Sequence, residues 1–357
     1  MEEVKNTILS IVDTSRSRRA LPDTTETTGS TRGYVYYGKD NNFPNFVNEL
    51  YEECSTLRSI IDGTAEYIQG NGVLCAEKWE TVNRRGTTIE DFVLQIATDL
   101  LKFDGFAIQV VYSRANAVAE LYALDFSRCR ISPDGKKVFY AKSWGAYTSK
   151  YEEYDSYRPG EIDANKKTQI YYYKGAHRTY YPYPKWQGAF RDVLSEIEAS
   201  KYVLTTLSNG LNVKSVITLP NNTGLLTPDE KKEVEKAIEA KFTGPDAESS
   251  FMLFWKEEGM DELKIDSIKS EDETDRFNAI KKSARENIFV AFRAAPILFG
   301  LTSEMSTGFS TNEFTDQFNL YNRTMVRPKQ KKIMDVLQKL TGDYSISIIP
   351  FTIETAE

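Results

Sequence analysis

Residues Ala189 to Gly210 read AFRDVLSEIEASKYVLTTLSNG, which places Phe190, Leu194, Ile197, Leu204 and Leu207 on one side of a helix and Gly210 at its C-terminal stop. At 1.5 Å per residue, a helix of about 20 residues is about 30 Å long. A second long helix is predicted from about Glu273 to Phe292, where Phe277, Ile280, Ala284, Ile288 and Ala291 recur at spacings of three and four. The intervening Leu211 to Ser270 reads as a small α/β unit with strands VKSVITL, FMLFW and LKIDSI. Its helix, PDEKKEVEKAIEAKF, carries a capping box of Thr227 and Glu230, with Pro228 at the first helical position. Two long helices around an insert predict a stalk bearing a small cap.

Toward the N-terminus, FPNFVNELYEECSTLRSIIDGTAEYIQGNG has Phe46, Leu50, Leu57, Ile61, Ala65 and Ile68 at mostly helical spacing and closes on Gly70 and Gly72. Another helix, TIEDFVLQIATDLLKFDG, is capped by Thr87 or Thr88 and ends at Gly105. From Phe106 to Tyr183 the period shortens to two. Runs FAIQVVYS, KVFYAKSW, QIYYYK and RTYYPYP, separated by turn sequences, predict an antiparallel sheet with hairpins. Residues 1–33 include RSRRALPDTTETTGSTRG, which has too little apolar surface to bury and predicts a mobile arm. The fold class is therefore α+β.

Toward the C-terminus, Ser310 and Glu313 form a capping box, and Phe309 can staple onto Phe314. Phe314, Phe318, Tyr321 and Met325 continue that helix, and Pro328 is expected to kink or end it before KQKKIMDVLQKL. The Thr302–Gly308 loop ahead of the cap has no comparable anchor. It reads either as a moving contact element on a rigid base or as a plain interhelical connection.

Lys plus Arg number 45 and Asp plus Glu 52, a net charge of −7, so a generally basic nucleic-acid surface is excluded. Cys54, Cys75 and Cys129 are odd in number and match no metal-ligand spacing, which predicts reduced thiols. No apolar run reaches the ~18 residues of a membrane span, and the N-terminus lacks a basic flank, so a soluble, non-secreted protein is expected. The single histidine, His177, falls in a predicted hairpin, KGAHRTYY, where a structural role is expected. No phosphate loop, nucleophile elbow or metal-ligand cluster occurs, so no catalytic residue, metal or cofactor is assigned. The acidic KSEDETDR reads as a solvated first helical turn, and the tyrosine-rich Tyr140–Tyr183 stretch as half-buried strands in preference to base-stacking platforms.

Four blocks, in order, carry a family resemblance: YVYYGKDNNFPNFVNELYEECSTLRSIIDGTAEYIQGNG, YPYPKWQGAFRDVLSEIEASKYVLTTLSNGLNVKSVITLP, AAPILFGL and YNRTMVRPKQKKI. Their combination, over about Tyr34 to Leu340, resembles the portal proteins of tailed bacteriophages, of the compact type of long-tailed phages. The resemblance implies a ring, typically of twelve subunits, at a capsid vertex of the virion, through which double-stranded DNA is packaged and ejected and to which the tail attaches. It implies a flexible arm (1–33), a wing (34–188), a stem (189–210 and 271–293), a clip (211–270), a tunnel-loop region (294–309), tunnel and wing helices (310–340) and a short tail with minimal or absent crown (341–357). The loop Thr302, Ser303, Glu304, Met305, Ser306, Thr307 and Gly308 would face DNA, and Phe251, Phe254 and Trp255 would form the clip interface. Lys281, Lys282, Arg285 and Arg293 are candidate channel cations, or else a solvated or subunit-bridging face. Implied partners are other copies of the chain, sequence-independent DNA, the large terminase motor, a head-tail adaptor, and the major capsid and scaffolding proteins, with assembly in the host cytoplasm. No catalytic activity is implied. Another virion ring or connector and, in a different class, a DNA-modifying enzyme are the alternative functions.

Overall fold

The computed structural model describes residues 20–28, 33–144, 150–162, 166–175, 180–209, 213–220, 250–256, 270–300 and 311–352. It divides into two compact units, Asp192–Val290 and the remainder, Met1–Arg191 with Ala291–Glu357.

In the larger unit, the first predicted helix is two: α1, Phe43–Glu53, and α2, Ser55–Gln69. The break is at buried Cys54, whose backbone is extended. Its N–H closes α1 on Leu50, and its Sγ accepts from Leu57 N to open α2. One residue thus caps both helices, a tertiary turn that helical periodicity running through it does not reveal. α3, Ile89–Phe103, starts at Thr88, whose hydroxyl accepts from Asp91 N at 3.1 Å. It ends on Asp104, held at φ 57°, and not on the predicted Gly105, which begins a strand.

A six-stranded sheet follows, formed by β2 (Gly105–Tyr112), β3 (Val118–Leu124), β4 (Cys129–Ile131), β5 (Lys137–Ala141), β6 (Tyr151–Ser156) and β7 (Thr168–Lys174). Its order is β3-β2-β7-β6-β5-β4. The pairs are antiparallel except β6 and β7, which run parallel through Asp155↔Gln169 and Ser156↔Ile170. That corrects the all-antiparallel expectation: β6 and β7 enter the sheet in the same direction, so a crossover and not a hairpin joins them. Both edges are engaged, Leu121 N donating to Val82 O at 2.8 Å and Val35 N to Ile131 O at 2.9 Å.

The described part of the predicted strand RTYYPYP, residues 180–184, is not a strand. Pro182 and Pro184 lack the N–H a ladder needs, and the amides of Tyr180 and Tyr181 go to the Glu26 carboxylate, each at 3.1 Å. The Tyr181 and Tyr37 rings stack with centroids 4.1 Å apart, and Tyr37 also stacks on Phe43. These contacts fold residues 20–28 against the unit; the rest of the predicted arm up to residue 32 lies outside the described residues. Buried Arg130 ties the same segment to the sheet. Its guanidinium donates to Asn41 Oδ1, Asn41 O, Ser127 O and Cys129 O and lies over the Trp144 ring, with no carboxylate paired to it among the described residues.

Toward the C-terminus, α6 (Thr311–Tyr321) runs into α7 (Arg327–Thr341) without a stop. A π-helical turn, Asn322–Val326, lies between them. Pro328 lacks an N–H and its ring would strike the carbonyl four residues back; the widened turn accommodates it, so the expected kink is a register change. α7 lies on α2, with Gln330 Nε2 donating to Ile68 O at 3.0 Å. The chain then pairs β10 (Ser347–Ile348) with β1 (Val73–Leu74) and sets Phe351 against Tyr67.

In the smaller unit, the helices are α4, Phe190–Asn209, and α5, Ser270–Phe292, both continuing into the larger unit at their bases. β8 (Val213–Pro220) and β9 (Ser250–Lys256) pair in parallel. The three thiols are free. No described helix is long and apolar enough to cross a membrane.

Candidate DNA-facing elements

α4 and α5 are antiparallel neighbours joined at matched heights. Asn287 Nδ2 donates to Asp192 Oδ1 at 2.8 Å, and ten residues away along each helix the Tyr202 and Phe277 rings stack at 4.1 Å. Val193 and Ile197 on α4 and Ala284 and Ile288 on α5 are buried. The predicted apolar side of α4 needs adjustment: Val193 is in the core, whereas Leu204 is 65% exposed. Val290 is 73% and Ile280 46% exposed, an unusual amount of apolar surface for a free helix pair.

Lys282 and Arg285 are exposed on α5, whereas Lys281 is half-buried, on the side of Ala284 and Ile288 three and seven positions further on. The three can present positive charge along one stretch of the helix surface. Arg293 is not part of it. It follows α5 at φ 52°, within electrostatic reach of Lys329 on α7.

That neighbourhood is a charged assembly the sequence reading did not single out. Asp104 is 4% exposed; its Oδ1 meets Lys185 Nζ at 3.3 Å and its Oδ2 is buried without a hydrogen-bond partner. Burial raises its pKa, and Lys185, Lys332 and Lys329 oppose the rise. Lys329 is pushed down to about 8, first by burial and then by Lys185, with Lys332 and Arg293 adding to the effect. Its Nζ donates to Met325 O at 3.1 Å. The only cue in the sequence is the lysine density of RPKQKKI; Lys185, Arg293 and Asp104 are remote in the chain.

The predicted tunnel-loop residues Thr302, Ser303, Glu304, Met305, Ser306, Thr307 and Gly308, the predicted cap residue Ser310 and His177 lie outside the described residues. Phe251, Phe254 and Trp255 belong to β9, in register with Ser215, Thr218 and Leu219 of β8. The predicted strand LKIDSI and the helix with the Thr227 cap also lie outside the described residues.

Residues 82–345, from ahead of α3 to past α7, match the family model described as Phage portal protein. The chain belongs to the phage portal protein family. It is accordingly a portal protein of the capsid vertex. The fold agrees with that of chains in solved particles. One, from the virion of a native gene transfer agent particle, is 18% identical with a TM-score of 0.54, covering 85% of this chain and 83% of that one. A second, from the neck of the empty particle computed with C6 symmetry, is 16% identical at 0.55, covering 87% and 85%. A third, from the neck of the native particle computed with C12 symmetry, is 15% identical at 0.54, covering 93% and 87%. No curated protein sequence matches.

Proposed function

We propose that this portal subunit assembles with copies of itself into a ring whose channel conducts double-stranded DNA during packaging and ejection. The observation that carries the reading is the family match spanning sheet, paired helices and insert in one order. The exposed Ile280, Val290 and Leu204 support side-by-side packing of the stem, since an isolated helix pair would leave them in water. The Thr302–Gly308 loop is the element that follows the DNA, with Ser303, Ser306 and Thr307 offering neutral hydrogen bonds to phosphates. Lys281, Lys282 and Arg285 give weak, sequence-blind contact along the channel. An acidic chain suits that role, because tight phosphate binding with release of many counter-ions would stall translocation.

The β8–β9 sheet belongs to the clip, whose strands meet a neighbouring copy, the terminase motor or the head-tail adaptor, with Phe251, Phe254 and Trp255 in that contact. Residues 34–188 are the wing, toward the major capsid and scaffolding proteins, and assembly takes place in the host cytoplasm. The subunit performs no catalysis; translocation is driven by a separate ATPase. Electron microscopy of the purified protein tests the reading: annular particles with an axial channel are expected. A protein that stays monomeric at high concentration and is absent from phage particles overturns it.

A further inference from the structure

Four aromatic side chains from three separate stretches of the chain close on one tyrosine. Tyr67, near the end of α2, has the Phe299 side chain at 6.2 Å, Phe318 at 5.8 Å, Tyr321 at 6.4 Å and Phe351 at 5.5 Å between ring centroids, each edge to face. Its hydroxyl donates to Leu298 O at 3.0 Å. Further contacts tie the group together: Phe299 meets Tyr321 at 6.0 Å, Phe318 meets Phe351 at 5.9 Å, and the Tyr321 and Thr64 hydroxyls are hydrogen-bonded at 2.6 Å. Gly63, one turn back along α2, makes room for Phe299, since a Cβ there would stand 3.0 Å from Phe299 Cε1. A glycine inside a helix is less stable than alanine, so helix stability is given up where Phe299 enters.

The place of these contacts in the chain gives them their meaning. Leu298 and Phe299 end the turn Pro296–Phe299, which precedes Thr302, and Phe318 and Tyr321 are buried residues of α6, which follows Gly308. The chain therefore leaves Tyr67 at Phe299 and returns to it at Phe318, with Thr302–Gly308 between. Other positions of α6 offer little hold, as Asp316, Gln317, Asn319 and Leu320 are exposed. Directly after Tyr321 the π-helical turn separates α6 from α7, which has its own buried row in Ile333, Leu337 and Leu340.

Resting on the reading of Thr302–Gly308 as the element that follows the DNA, we propose that Tyr67 is the positioning residue of that loop: it holds both of the loop's flanks on α2 and so sets where the loop stands in the channel. One side chain serves both flanks because its ring takes Phe318 and Tyr321 edge-on while its hydroxyl holds the carbonyl of Leu298. Phe351 fastens the C-terminal tail to the same mount.

The test uses full-length chains assembled into particles: Tyr67→Phe, which removes only the hydroxyl, Tyr67→Leu, which removes the aromatic edges as well, and Phe351→Ala at an exposed position. Hydrogen exchange is read at the amides of Phe318–Tyr321 against those of α3 and α7, and protected DNA is read per particle. Y67L is expected to speed exchange in α6 by about tenfold with α3 and α7 unchanged, and to lose protected DNA. Y67F is expected to keep α6 protection and most of the DNA, because the aromatic contacts survive. F351A is expected to show the α6 effect in smaller size, and it decides the matter if Y67L does not assemble. Unchanged α6 exchange in Y67L, or in F351A where Y67L fails, overturns the proposal. Quickening spread equally over α3 and α7 also overturns it, as the mark of a core residue with no special hold on the loop. Normal DNA content in Y67L particles whose α6 exchange has quickened does the same. Loop-shortened particles measured alongside tell this apart from a failure of the loop reading: normal DNA content there removes that reading, and reduced content leaves it standing.

Discussion

Gly175 and Asp104 meet so closely that a Cβ on Gly175 would stand 1.9 Å from Asp104 Oδ2, while Gly175 N donates to Asp104 O at 2.7 Å. The end of β7 therefore seats the residue that closes α3, with no room for a side chain between them. Gly175→Ala is expected to destabilise the larger unit by about 1–3 kcal/mol through overpacking. Removing the obstructing carboxyl with Asp104→Gly, at a position already at φ 57°, should give back part of the loss. A double-mutant cycle from denaturant unfolding measures the coupling, and strict additivity would contradict it.

Arg130 supports the sheet edge through carbonyls and rings. Arg130→Met keeps much of the volume but strands the buried carbonyl oxygens of Asn41, Ser127 and Cys129. The expected cost is about 3 kcal/mol, with Arg130→Lys intermediate because an ammonium cannot reproduce the fork of donors. Hydrogen exchange should quicken first at the Val35 amide, which bonds to Ile131 O.

Asp99 sets a pH dependence. Burial raises its pKa from the ordinary 3.8 to about 7, against the lowering effects of Lys102 and the Phe126 amide. The folded chain then holds a proton on Asp99 that the unfolded chain has lost between about pH 4 and 7, so this group makes stability fall as pH rises through that window. Asp99→Asn should flatten that part of the profile. Lys329 acts in another window: lowered to about 8, it binds fewer protons folded than unfolded from about pH 8 to 10.5, so its contribution makes stability rise with pH there. Equilibrium unfolding across pH 4 to 10 checks both signs.

Gly70, at φ 71°, is crossed by the C-terminal tail, and a Cβ there would lie 2.2 Å from Ile349 O. Gly70→Ala is expected to lift the tail from β1. Loss of exchange protection at the Asn71 and Ile349 amides, which bond to Ile349 O and Gly72 O, is the measurement. The core of α3 and β2 should keep its protection, because the β1–β10 ladder is peripheral to it.

Shortening Thr302–Thr307 separates the loop's role from that of the helix behind it. Rings should still form and enter procapsids, with less protected DNA per particle. Ser310→Ala should instead lower stability by about 1 kcal/mol through loss of a helix cap. Normal DNA content in loop-shortened particles would leave the segment as a plain connection.

The parts legible in the sequence are those fixed by neighbours in the chain. α3 is written in its Thr88 cap and apolar spacing, β2 and β7 in their β-branched and aromatic runs, and α4 and α5 in two periodic stretches around an insert. Helix and strand periods are local properties, so composition over ten to twenty residues suffices to specify them. The order of blocks along the chain also carried the family resemblance, because a family pattern is itself one-dimensional.

Tertiary structure decided the rest. Whether β6 runs parallel or antiparallel to β7 depends on where the chain between them travels, and the strands' own residues permit either direction. The amides of Tyr180 and Tyr181 go to Glu26, more than 150 positions away, and this turns a predicted strand into a docking segment. Asp104, Lys185, Lys329, Lys332 and Arg293 become one cluster only when α3, the segment before α4, α7 and the end of α5 are brought together. Charge acts through space and not along the chain, so a carboxylate that is ordinary in the sequence gains its environment only after the elements around it have packed.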